Sequence, residues 1–501
     1  MDKIQVLQLG TEDWSSTHAV WEGTVWTYLE TLEVLPEKPY DVVFLDRDPS
    51  EHEISILNKS VKAYTLFVTE NVRLEGMMLE LFRCKMGRLL EAETLKDFLQ
   101  KELRYYYGKP YGEKFNNANL AVSQDFKGTI YWHGNCYLSL KGEFGEEFYQ
   151  IAFWRNNVPV FHGQTIEFWL EYEKSPEIEI SMAITLIESG SVSKILNRWE
   201  FTEAELQQMA CIQNDWQNGS IFVSISAKGQ GELKIIALHD RHSRGRHGYF
   251  LPGGERFVTA EREEVFCYFD PGDMKPPLNV YFSGYKTLEG FEGYYLMKGF
   301  GAPFLLITDA RLEGGAFYMG SKEYEKMIVD VITRCRRKLG FSYNEMILSG
   351  LSMGTFGALY YGCEVFPRAL ILGKPLASIG NVASNETLNR PGGFPTSLDV
   401  LMKNYNSTDR EAVELLNARF WERFDRGYWK ETRFIMSYMI EDDYDSDAYE
   451  TLISHLKGGG VEVYGKGIHG RHNDNTGEIV NWFVSQYKKI LKEDFGRDLE
   501  R

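Results

Sequence analysis

The spacing of apolar positions changes twice along the chain. From the N-terminus, short apolar runs at residues 4–9, 41–45, 64–68 and 88–90 alternate with stretches of helical period at 74–82 and 95–106. Strands and helices in turn predict a small parallel α/β unit, Rossmann- or flavodoxin-like, over residues 1–118. Between 119 and 240 the period becomes two. Runs at 129–140, 147–154, 165–172, 177–187, 220–226 and 232–238 are separated by Gly, Asn and Pro, and predict a β-sandwich. From 241 to 501 the α/β alternation returns. Strands are expected at 279–283, 304–308, 345–349, 369–372, 434–439 and 461–464, and helices at 324–339, 353–363, 399–424, 448–456 and 477–491. The fold class expected is therefore multidomain α/β: a C-terminal α/β-hydrolase fold preceded by a β-sandwich and an N-terminal small parallel α/β domain. Linkers are expected near 115–128 and 240–250. The second contains the basic run from His239 to His247, where proteolysis should cut first.

In the third region one apolar run meets Gly350-Leu351-Ser352-Met353-Gly354 and then turns helical. Gly-x-Ser-x-Gly between a strand and a helix is the pattern of a nucleophile elbow. A serine hydroxyl is a poor nucleophile unless it is exposed, fixed and next to a base. A sharp turn fixes Ser352, Gly350 and Gly354 leave room for it, and the helix start offers the Met353 N–H to an oxyanion. A second N–H is expected from the loop after strand 279–283, near Gly284 or Tyr285. In this fold the acid follows the serine and the histidine comes last. The apolar run 434–440 leads into Glu441, Asp442 and Asp443; Asp442 is the candidate acid, with Glu441 and Asp443 as alternates. The loop before the last helix carries His469 and His472. His472, nearer the helix, is the candidate base and His469 the alternate.

Composition narrows the functions further. The net charge of −17 over 501 residues argues against nonspecific binding to nucleic acid or to an anionic membrane surface. No run of 18 apolar residues is present, so no transmembrane segment is expected, and the N-terminus reads as a first strand rather than a signal peptide. Six scattered cysteines without CxxC read as reduced thiols of a cytosolic protein. The first turn, from Gly10 to Trp14, lacks the Gly-rich pattern of a nucleotide site. His239, His242 and His247 have no acidic or Cys partner at ligand spacing, so no metal site is expected. Trp132, Tyr137, Trp154, Trp169, Trp199 and Trp216 make the middle region aromatic-rich, as in a carbohydrate-binding module, although each ring read singly belongs in a core.

The elbow through Tyr361, the His469-Gly470-Arg471-His472-Asn473-Asp474 loop, the three-part layout and the acidic character together resemble the second accessory secretory protein family of Gram-positive accessory Sec systems, over essentially the whole chain. The resemblance implies an enzyme of the cytoplasm, peripheral at the membrane translocase, that O-acetylates GlcNAc on serine-rich-repeat adhesins and supports their export. It implies as partners other accessory secretory proteins, the accessory SecA ATPase and the glycosylated adhesin. It also implies Ser352, an acid matching Asp442, and His472 as a triad; the family's acid is a glutamate, so Glu441 stays open beside Asp442. No bound cofactor is implied. An acetyl donor is required, with acetyl-CoA the candidate, and no CoA-type phosphate loop is legible. A carbohydrate esterase or deacetylase, and a noncatalytic export adaptor with a hydrolase-like fold, are the alternatives.

Overall fold

A computed structural model describes residues 3–36, 39–108, 112–388 and 393–498. Three sheets follow one another along the chain. The first is parallel and five-stranded, in the spatial order Thr24–Leu29, Ile4–Leu9, Val42–Leu45, Leu66–Val68, Arg88–Leu89. Val42–Leu45 and Leu66–Val68, inside the sheet, are unbroken apolar runs and fully buried, as strands of a covered parallel sheet are. Thr24–Leu29 lies at the sheet edge and is largely half-buried, and its pattern did not signal a strand.

The second sheet has ten strands and is antiparallel. Its spine is a 24-residue strand, Gly219–His242, which pairs with Glu179–Glu188 near its start and Thr165–Lys174 near its end. Along its middle it pairs with the 18-residue strand Tyr137–Trp154. The pairs of short strands expected in each place are thus single long strands. They bend where Gly229 and Gly231 adopt positive φ and the register shifts. The expected sandwich is therefore hydrogen-bonded into one continuous sheet around one apolar core. The strand Gly112–Phe115 already pairs with Gly219–His242, so this sheet begins earlier than the division expected at 118. Trp154 and Trp169 are buried, whereas Trp132 is 41% and Trp216 38% exposed.

The third sheet has eight strands. Numbered along the chain, their spatial order is 1-2-4-3-5-6-7-8. Glu255–Val258 and Glu264–Asp270 are antiparallel; Leu278–Phe282, Phe304–Asp309, Met346–Leu351, Ala369–Gly373, Arg433–Met439 and Val463–Ile468 run parallel. Between Ala369–Gly373 and Arg433–Met439 the chain makes three helices, Ile379–Leu388, Thr396–Tyr405 and Arg410–Asp425. The second of these touches the middle sheet: Asp399 Oδ1 accepts the Asn135 N–H at 3.2 Å.

The expected linker at 240–250 is a correction. His239, Asp240, Arg241, Ser243, Arg244 and His247 are all buried. Arg241 donates to Glu264 (2.8 and 2.7 Å) and to Glu289 (2.6 Å) of the third region. His239 lies between Glu289 (2.5 Å) and Glu171 (3.0 Å). Arg244 donates to the carbonyls of Tyr105, Tyr107 and Phe250, and Arg262 stacks on Trp169 at 3.8 Å. A basic run reads as solvated until its partners are known, and these come from distant segments. The run is a buried junction between the sheets and no place for a protease to begin.

Candidate active site

The site begins at the turn between Met346–Leu351 and Met353–Val365. Ser352 has φ 51° and ψ −120°, a conformation that costs a non-glycine residue strain and persists only where its surroundings enforce it. The two glycines show how. A Cβ on Gly350 would lie 2.3 Å from the Gly354 carbonyl carbon, and a Cβ on Gly354 would lie 2.1 Å from the Phe282 carbonyl oxygen of the neighbouring strand. The Ser352 N–H donates to the Gly373 carbonyl at 2.8 Å, which ties the turn to the next strand.

Ser352 Oγ lies 2.8 Å from His472 Nε2. His472 Nδ1 lies 2.8 Å from Asp442 Oδ2. Because Nδ1–H donates to the carboxylate, Nε2 is left to accept the serine proton. Asp442 Oδ1 accepts the N–H groups of Tyr444 (2.8 Å) and Asp445 (3.3 Å). Burial pushes the Asp442 carboxyl up, but the hydrogen bond and charge of His472 and these two N–H groups outweigh it, so its pKa lies below the ordinary value. The His472 N–H donates to Asp443 Oδ1 at 3.1 Å. Ser352, Asp442 and His472 are thus in one hydrogen-bonded series, with Asp443 supporting the backbone of the histidine. The remaining alternates pair elsewhere: His469 Nδ1 meets Glu441 Oε1 at 2.9 Å, with both side chains exposed. Asp442→Ala should therefore lower any triad-dependent turnover by on the order of 10³- to 10⁴-fold. Glu441→Gln and His469→Ala should stay within about twofold of wild type. Steady-state rates with an activated acetyl ester check this, and a larger loss in Glu441→Gln would reassign the acid.

The expected oxyanion donors divide. Met353 opens its helix, so its N–H has no partner one turn back. The Gly284 N–H donates to Glu292 Oε2 at 2.5 Å, which corrects the expectation that Gly284 is free to serve. The Tyr285 N–H has no acceptor among the described residues. Met353 and Tyr285 are the pair that could hold an oxyanion. Glu292 went unnoticed in the sequence because it lies eight residues beyond the amide it caps.

Three further features carried no local signal. Tyr444 stacks on the His472 ring at 4.3 Å and 17°, Phe394 stacks on Tyr444 at 5.2 Å, and the Tyr285 ring meets Phe394 edge-on at 5.4 Å. An aromatic row thus runs from the imidazole to the half-exposed Tyr285. Lys374, at φ 58° and 6% exposed, donates to Thr476 Oγ1 at 3.2 Å. Burial holds its ammonium below its usual pKa against the pull of Asp442. Arg311 is fully buried, donates to Asp309 and Glu263, and lies 3.6 Å from the Tyr324 ring. Asp309 in turn accepts the N–H groups of Ala316 and Tyr318, fixing the loop beneath Met353.

His239, His242 and His247 do not converge. His242 lies against the Tyr107 ring, and His247 hydrogen-bonds Tyr106 and Glu102. His239 does meet acids from other segments, and its ring, Glu171 and Glu264 could offer three ligand atoms to a cation. The Glu264 oxygens are taken by Arg241 and Arg256, so guanidinium groups supply the positive charge there.

Fold and site together define a mixed α/β protein of parallel and antiparallel sheets, with a serine, an imidazole and a carboxylate in series at the ends of parallel strands. The chain belongs to the family described as Asp2: Accessory Sec system GspB-transporter, whose profile matches residues 4–497. It is 38% identical over 510 residues to the accessory Sec system protein Asp2 of Staphylococcus aureus (strain NCTC 8325 / PS 47), covering 99% of this chain and 98% of that protein. It is 35% identical over 507 residues to the accessory Sec system protein Asp2 of Streptococcus gordonii, covering 99% of each. Among solved structures it is similar to the Glycosylation Associate Protein (Gap123) complex from Streptococcus agalactiae, with a TM-score of 0.88, 37% identity and 99% of each chain covered. Among the described residues no helix is long and apolar enough to cross a membrane.

Proposed function

We propose that this accessory Sec protein is a serine-dependent O-acetyltransferase that acetylates GlcNAc on serine-rich-repeat adhesins and supports their export. The observation that carries this reading is the Ser352–His472–Asp442 series, with 2.8 Å at each step, at an elbow in the strand order of an α/β-hydrolase. In the first half-reaction His472 Nε2 takes the Ser352 proton as Oγ attacks the acetyl carbonyl of the donor. The Met353 and Tyr285 N–H groups hold the oxyanion, and Asp442 stabilises the imidazolium. The leaving group then departs with the proton from His472, and Ser352 carries the acetyl group. In the second half, His472 takes the proton of a sugar hydroxyl, which attacks the acetyl-serine and leaves as the ester; the Ser352 oxygen regains its proton from His472. Water in place of the sugar gives esterase chemistry with the same residues, so exclusion of water decides the outcome. Acetyl-CoA is the donor on this reading.

The same reading places the protein in the cytoplasm, in complex with other accessory secretory proteins and against the accessory SecA ATPase. Support comes from the family and from the similarity to a protein solved within the Gap123 complex. The test is mass spectrometry of the adhesin glycan from cells carrying wild type or Ser352→Ala. Loss of the glycan acetyl groups in the variant is the expected result. A glycan that keeps its acetyl groups while the variant is present and folded would refute the reading.

A further inference from the structure

Residues 374–378 follow the strand Ala369–Gly373, and all five are buried. A buried backbone N–H needs a partner, and none of these finds one inside the stretch. The Lys374 N–H donates to the Ser437 carbonyl at 2.8 Å, on the strand that leads to Asp442. Pro375 has no N–H to place. The Leu376 N–H donates to Thr355 Oγ1 at 3.0 Å. The Ala377 and Ser378 N–H groups both donate to Asp445 Oδ2, each at 2.8 Å.

Each of the two side-chain acceptors also reaches a member of the Ser352–His472–Asp442 series. The Thr355 hydroxyl donates to the Ser352 carbonyl at 2.6 Å, and the Thr355 N–H donates to the same oxygen at 2.9 Å. Ser352 is held at φ 51°, so fixing its carbonyl fixes the turn that presents Oγ. The Asp445 N–H donates to Asp442 Oδ1 at 3.3 Å. Thr355 is fully buried and Asp445 nearly so, and little water reaches either to replace a lost bond. The nucleophile and the acid come from distant parts of the chain, and this one stretch is hydrogen-bonded to the support of both.

We propose that Thr355 and Asp445 are positioning residues, which through residues 374–378 hold the Ser352 hydroxyl and the Asp442 carboxylate at the spacing that His472 bridges. Neither touches a reacting atom. The inference rests on the acyl-serine step of the reading above and is independent of the sugar and the donor. Such geometry weighs heavily in rate, because a displacement of about 1 Å at the reacting groups costs on the order of 10²-fold. Burial pushes the Asp445 carboxyl up, against the pull of the Ala377 and Ser378 N–H groups. Its task is to accept two hydrogen bonds, which the oxygen of an asparagine also does.

The test is burst-phase acylation of the full chain by p-nitrophenyl acetate, with fluorophosphonate labelling of Ser352 beside it; neither needs the sugar acceptor. Thr355→Val, which keeps the shape and loses the hydroxyl, and Asp445→Ala should each slow acylation about 10- to 100-fold, with KM for the ester within about twofold of wild type. Thr355→Ser and Asp445→Asn should recover most of that rate. The double variant Thr355→Val/Asp445→Ala should lose less than the product of the single losses, because both act through one stretch. Rates are read well below each melting temperature, and if Asp445→Ala does not fold, Thr355→Val decides. A wild-type rate in Thr355→Val, a loss that serine and asparagine fail to recover, or a loss confined to KM overturns the inference. The expected pattern in the variants, with a wild-type adhesin glycan that carries no acetyl groups in cells, leaves the positioning role standing and removes the glycan-acetylation reading. Glycan acetylation that depends on Ser352, with Thr355→Val and Asp445→Ala as fast as wild type, does the reverse. A wild type that neither acylates nor labels removes both.

Discussion

Ser352→Ala and His472→Ala should each lower acetyl transfer on the order of 10⁴- to 10⁶-fold, and the double variant should lose little more. The hydroxyl and the imidazole are 2.8 Å apart and share one proton, so either alone is idle. What survives is the work of the Met353 and Tyr285 N–H groups and of binding. Neither substitution disturbs the turn: Gly350 and Gly354 remain, and the Ser352 N–H still donates to Gly373. Single-turnover rates from an activated acetyl ester, with circular dichroism beside them, provide the measurement. If the two single losses multiplied in the double variant, the residues would be acting independently and the proposed series would fail.

The second large effect concerns stability. Arg241→Met should destabilise the chain by about 3–5 kcal/mol, a fall in Tm of about 3–5 °C for a chain of this size. Arg241 is 2% exposed and is shared by Glu264 and Glu289. Removing it leaves two buried carboxylates short of a counter-charge, which costs far more than the pair itself contributes. The same junction fixes a pH window. Burial pushes Glu289 up, but Arg241 and His239 pull it down from 4.5 to about 2. Its contribution is present above 4.5 and is lost as pH falls through about 2. His239 is pushed down by burial but raised further by Glu289 and Glu171, ending above 6.5. That contribution is full below 6.5 and is lost as pH rises through the folded value. The contributions of Glu289 and His239 are both full between 4.5 and 6.5. In Arg241→Met the loss on acidification should begin at a higher pH, as thermal melts across pH 3–8 would record. An unchanged acid limb would mean that Arg241 does not hold Glu289 ionised.

The elbow was legible because its information is local: a strand, two glycines, a serine and a helix within twenty residues. Asp442 and His472 were legible because each closes a strand and opens toward a helix, and the order of elements supplies the rest. The junction was misread for the opposite reason. From His239 to His247 the chain looks solvated, yet Glu171, Glu264, Glu289 and Glu102 reach it from four separate segments. Tyr444 and Phe394 escaped notice because a stack exists only once two distant turns meet. The two long strands were read as shorter ones because a glycine that bends a strand and a glycine that ends it look alike in one dimension.

The strand Gly219–His242 also bears on how such a protein can change over generations. Its first half belongs to the middle sheet alone, whereas its end hands His239 and Arg241 to acids of the third region. Recombination that exchanged one region for a relative's would separate these residues from the glutamates that match them. A crossover near residue 240 would be purged unless both sides carried the same charges. Inheritance should therefore treat the three sheets as a single block, and their charge pairs should drift together or remain fixed.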